Sequence, residues 1–235
     1  MGRRTVAIVA AGLFFALTPP NASAETSDPD AVPPRTAISV RSGMGFHGST
    51  ANEHESRTAL SLVKLYLADY TLRHGDGSDA ERDLAERMIR YSDDGAASAV
   101  EAKYPDATDT IAAEYHLTAT DSGDSWGFAF TSTADVADFL IAKLRTDPRS
   151  PIFEWMAAAG ATAADGTEQD WGTARLPYVL GTKWGWSDVG VPEVASASYG
   201  RGFVVVAHTH GTAEEQTADI MAALPYLADD LVPFP

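Results

Sequence analysis

The chain has 235 residues, no cysteine and a formal net charge of −16. So acidic a chain repels phosphate backbones, which argues against a nucleic-acid partner. The missing cysteine excludes disulfide support and thiolate chemistry.

Residues 1–24 have the form of a secretory signal: Arg3 and Arg4, the apolar run VAIVAAGLFFAL, and a small-residue site at Ala22-Ser23-Ala24. The run is too short to favour a membrane span. The mature chain is therefore expected to be secreted or held outside the cytoplasm in the cell envelope, as a monomer with no membrane span. Losing this segment removes two arginines and no acid, which takes the charge to −18. Residues 25–35 (ETSDPDAVPPR) are polar and Pro-rich and read as a disordered leader. Residues 36–235 are long enough for one sizeable core.

TAISVRSG (36–43) reads as a strand, with Gly43, Gly45 and Gly48 marking turns or bulges behind it. Leu60, Val63, Leu67 and Tyr70 predict a helix over 57–74, stopped by Gly75 and Gly77. Ser78 caps a second helix through Tyr91, and the SDDG at 92–95 breaks it. Short helices follow at 96–103 and 108–115, then a loop over 117–130. A capped helix spans 131–144, another 151–159, and a loop 163–177. Strands are expected at 178–188, 194–200 and 203–210. An amphipathic helix at 213–231 completes the order, with Pro225 expected to kink or end it. This order predicts an α+β fold whose sheet joins both ends of the chain around a helical block.

Three places carry chemistry. Ser61 and Lys64 lie three apart in TALSLVKLYL, and Lys64 is one of only four lysines. On a helix the two share a face. A lysine whose pKa is lowered by apolar neighbours can take the hydroxyl proton and make serine a nucleophile. A chance pairing on a solvated helix face explains the same four residues. Ser92-Asp93-Asp94 reads alone as a helix-ending turn. Lys183, in GTKWGW on a strand, can hold a carboxylate while Gly185 leaves the backbone open; it also reads as a lysine guarding a sheet edge.

In their order and flanks, these motifs resemble the penicillin-recognising serine hydrolases, the superfamily of serine β-lactamases and penicillin-binding peptidases. Class A enzymes carry Ser-x-x-Lys, Ser-Asp-Asn and Lys-Thr-Gly. The likeness covers roughly residues 36 to 230 and implies a mostly antiparallel sheet flanked by helices. It implies Ser61 as the acylated nucleophile, Lys64 as its base and Ser92 as a proton relay. Lys183 would bind a substrate carboxylate, and the Ser61 and Trp186 amides would form an oxyanion hole. No cofactor is implied, and the substrate would be a small molecule, such as a β-lactam or ester, or a cell-wall peptide.

Three departures stand out. Only 31 positions separate Ser61 from Ser92, so a reduced helical lobe is expected. Residues 117–130 contain no glutamate to deacylate the enzyme, only Asp121 and Asp124. Asp94 and Trp184 replace the motif Asn and Thr; Asp94 is expected to raise the Lys64 pKa, and Trp184 to add bulk beside the site. An impaired binding protein for a cell-envelope ligand is the alternative reading. Elsewhere, His208 and His210 share one strand face and can ligate zinc, although no third ligand is evident. Glu168 and Asp170 read as general bases or as solvated loop acids, and Tyr91 as a cleft residue or a helix-packing one.

Overall fold

The computed structural model describes residues 32–231. The signal segment and most of the leader lie outside them. The leader's last residues do not hang free: the Arg35 guanidinium donates to Asp219 at 2.9 Å and Glu215 at 2.7 Å.

Strand β1 (Thr36–Ser42) is followed by short strands β2 (His47–Ser49) and β3 (Arg57–Thr58). A helical block comes next: α1 (Val63–His74), α2 (Asp79–Arg90), α3 (Asp94–Lys103) and α4 (Ala107–Tyr115). Strand β4 (Phe130–Thr131) leads into α5 (Thr133–Thr146) and α6 (Pro151–Ala157). The last elements are β5 (Val179–Trp186), β6 (Val194–Gly200), β7 (Phe203–Thr209) and α7 (Ala213–Leu231).

The main sheet is antiparallel in the order β2-β1-β7-β6-β5, so the first strand pairs with the last, as expected. Alternation sorts its two faces. Ala195, Ala197, Tyr199, Val204 and Val206 join the core of the helical block. Ile38, Val40, Val205 and Ala207 pack with Ile220 and Ala223 of α7. Helix α1 lies at the centre of the block. Leu65, Tyr66, Leu67, Ala68, Asp69 and Thr71 are all buried, because the other helices enclose it on every side. Lys143 of α5 reaches the buried Asp69 at 2.6 Å and ties α5 to α1.

Several boundaries differ from expectation for local reasons. The predicted 57–74 helix is broken at its start: Arg57 and Thr58 pair with Phe130 and Thr131, and a 3-10 turn at Leu60–Leu62 precedes α1. The Ser-Asp-Asp stretch does more than break a helix, because Asp93 caps α3 by accepting from the Ala96 N–H at 2.9 Å. Such caps are worth about 1 kcal/mol. Helix α7 runs through Pro225 and does not end there.

Candidate active site

Ser61 stands in the 3-10 turn ahead of α1, where the chain bends off β3. The preceding residue, Leu60, has φ 50, a left-handed conformation that costs a non-glycine residue energy. Strand β5 holds the turn in place. A Cβ on Gly185 would lie 2.7 Å from the Ser61 nitrogen and 2.9 Å from the Leu60 Cβ, so only glycine admits this approach. The Ser61 amide and the Gly185–Trp186 backbone are thereby brought together.

Lys64 follows one turn later with no exposed surface. Its ammonium donates to Ser61 Oγ at 2.8 Å and to the Ser92 carbonyl at 2.7 Å. It also donates to the Asp94 carboxylate and lies 4.7 Å from the centre of the Trp126 ring. Ser92 too has a left-handed backbone, with φ 52. Its Oγ accepts from Lys183 Nζ at 2.7 Å and stands 3.4 Å from Lys64 Nζ. One hydroxyl therefore lies between two buried amines.

Burial dominates the electrostatics of both lysines. It lowers the Lys64 pKa from the usual lysine value, and the hydrogen bond and charge of Asp94 only partly offset it. The net direction is thus opposite to the expected rise, although Asp94 does push upward. Lys183 is driven well below the usual value by burial and then by the nearby charge of Lys64. Both lysines therefore give up a proton more readily than an exposed lysine does.

A cleft of about 480 Å³ opens on this centre, walled by Ser61, Leu60, Trp126, Phe128 and Trp186. Its carboxylates are Asp94, Asp165, Asp188 and Glu193. Lys183 is not on this wall; its ammonium is committed to Ser92 and, at 2.7 Å, to the Trp184 carbonyl. Trp184 points the other way. Its ring is buried with Trp171 and Val194 and donates to the Trp171 carbonyl at 2.9 Å, so it adds no bulk beside Ser61. Trp186, two residues on, reaches the cleft rim, where its Nε1 donates to Asp165 at 3.1 Å.

Other expected positions lie elsewhere. Asp121 and Asp124 are not on the cleft wall; Asp121 accepts from the Gly123 N–H of its own turn. Glu168 and Asp170 line a separate surface depression with α7. Tyr91 packs on Gly160 and the Arg90 guanidinium, away from the cleft. Sequence reasoning missed Thr58, Trp126, Asp165 and Glu193. Only Asp165 had a local signal, an Asp-Gly turn in which its carboxylate accepts from the Thr167 N–H at 2.8 Å. Burial tends to raise the Asp165 pKa, but the hydrogen bonds from Thr167 and Trp186 win and hold it low, as a carboxylate.

No protein-family model matches the chain, and no curated protein sequence does. Solved structures do. A β-lactamase from Streptosporangium roseum superposes with a TM-score of 0.63 at 16% identity, over 83% of this chain and 93% of that one. A D-alanyl-D-alanine carboxypeptidase from Mycobacterium tuberculosis gives 0.60 at 17%, over 84% and 91%. Penicillin-binding protein D2 from Listeria monocytogenes, in its cefotaxime-bound form, gives 0.58 at 18%, over 80% and 95%. With its antiparallel sheet, flanking helices and these neighbours, the chain has the fold of the serine β-lactamases and penicillin-binding proteins.

Proposed function

We propose that the chain is an exported serine hydrolase that forms an acyl-enzyme on Ser61. The supporting observation is the contact of Lys64 Nζ with Ser61 Oγ at 2.8 Å, backed by Ser92 and Lys183. Neutral Lys64 takes the hydroxyl proton as Oγ attacks a β-lactam, peptide or ester carbonyl. The Ser61 and Trp186 amides receive the developing oxyanion. As the tetrahedral intermediate collapses, the bond to the leaving group breaks and Ser92 passes it a proton. Lys64, now an ammonium, returns the proton it took to Ser92, which restores the neutral amine, while Lys183 holds the Ser92 hydroxyl in place. Water then hydrolyses the ester, slowly, because no glutamate from residues 117–130 is present to activate it.

One observation favours a rival reading as a ligand-binding protein on the same fold. A Lys64 ammonium in contact with the Asp94 carboxylate is a poor base. Intact-mass spectrometry after incubation with a fluorescent penicillin and with a fluorophosphonate separates the two. A long-lived adduct of one probe per chain, absent from Ser61→Ala, is expected. No adduct from either probe overturns the acyl-enzyme reading and leaves the binding protein.

A further inference from the structure

Strand β7 places His208 and His210 on one face, and the pairing of β6 with β7 brings a third group to them. Val194 pairs with Thr209, so Glu193, one residue earlier, lies beside both imidazoles. Glu193 Oε1 is 3.0 Å from His210 Nδ1 and 3.5 Å from His208 Nε2. The three ligand atoms all fall within 4.8 Å of one another. Tetrahedral zinc, with bonds of about 2.0–2.1 Å, needs neighbouring ligand atoms roughly 3.3 Å apart. Both distances to Glu193 bracket that separation.

The arrangement is also oriented. Thr58 Oγ1 donates to Glu193 Oε2 at 2.5 Å, which leaves Oε1 turned to the histidines. Outer contacts of this kind fix a metal ligand in place. His208 is buried, whereas His210 is half exposed. The His208 Nε2–H donates to the Thr58 carbonyl at 3.0 Å, so metal binding must break this hydrogen bond, turn the ring off the carbonyl and move the proton to Nδ1. Nδ1 has no partner among the described residues, and His208 borders a cavity of about 10 Å³ with Thr131, Ser132 and Thr133. That is room for about one water to accept a hydrogen bond from Nδ1–H. The Arg57 guanidinium, 3.1 Å from the His208 carbonyl, opposes a cation; Glu55, at 2.6 Å, offsets it.

We propose that Glu193, His208 and His210 form a three-ligand site for a divalent transition-metal ion of the zinc type. Glu193 and Thr58 also line the cleft of Ser61, so the site lies at the cleft edge, and a fourth ligand comes from solvent or from a bound molecule. The proposal does not rest on acyl transfer. Its test is calorimetric titration of the chelator-treated full chain with Zn²⁺, with Co²⁺ absorption to report coordination. One ion per chain with a tetrahedral cobalt spectrum is expected. Thr58→Val should weaken binding by about tenfold, and His210→Ala and Glu193→Gln by more. Circular dichroism checks that each variant stays folded. His210 is half exposed, so its replacement should spare the fold. Ser61→Ala should bind as the wild type does, which separates this outcome from that of the acylation test. Absence of a saturable site, or affinity unchanged in both His210→Ala and Glu193→Gln, overturns the proposal.

Discussion

Asp94 is the residue on which the proposed chemistry turns. Its carboxylate stands where the resemblance puts an asparagine, and it contacts the lysine that must act as base. Burial has already lowered the Lys64 pKa, and Asp94 is the largest influence pushing it back up. Asp94→Asn removes that influence, so the Lys64 pKa falls further and more of the amine is neutral at a given pH. The acid limb of the acylation profile should move to lower pH. Below the plateau, the rate should rise about tenfold for each pKa unit gained. Stopped-flow acylation by a penicillin or fluorophosphonate across pH reads this directly. A profile that stays in place means Lys64 is not the base.

At the scale of elements, the nucleophile is held by a strand 124 positions away in sequence, Ser61 against Gly185. A methyl group on Gly185 meets backbone, which cannot swing aside as a flexible side chain would. Gly185→Ala should therefore fold but push β5 off the Leu60–Leu62 turn. Acylation should drop by about a hundredfold, as misplacement of a reacting group by roughly 1 Å does. Circular dichroism and adduct formation, measured together, check it; acylation at the wild-type rate would show that the contact is not needed. The same contact explains what sequence could and could not reveal. Helices α1, α2 and α5 were legible because apolar residues recur over several turns. The 3-10 turn at Ser61 was not, since tertiary contact with β5 imposes the φ of Leu60. Strands β2, β3 and β4, two or three residues each, are too short to show a period. Ser61, Lys64, Ser92 and Lys183 stood out as motif residues. Asp165 and Glu193 did not, because loop acids in an acidic chain look alike until the sheet register places them.

For the molecule as a whole, the negative charge is not spread indifferently. Four carboxylates line the cleft, while both site lysines are turned inward and have no exposed surface. An approaching anion meets a repulsive field, focused by low-dielectric walls. Among acylating probes of equal intrinsic reactivity, a cationic one should react about tenfold faster than an anionic one at low salt. The gap should narrow as ionic strength approaches about 1 M, where screening shortens to about 3 Å. Second-order acylation rates against salt measure it, and equal rates for both probes would rule the field out.

The pairing of β1 with β7 sets a clock on the molecule's assembly. Thr36 and Thr209, hydrogen-bonded across the two strands, lie 173 residues apart. At about 5–20 residues per second, a ribosome takes roughly ten to thirty seconds to make that interval. The helices can pack early from local contacts, but β1 must wait beside an absent neighbour. Ser61 and Lys64 are synthesised long before β5 arrives to brace them. A nascent chain halted before Val179 would therefore carry the serine and lysine without the strand that orients them.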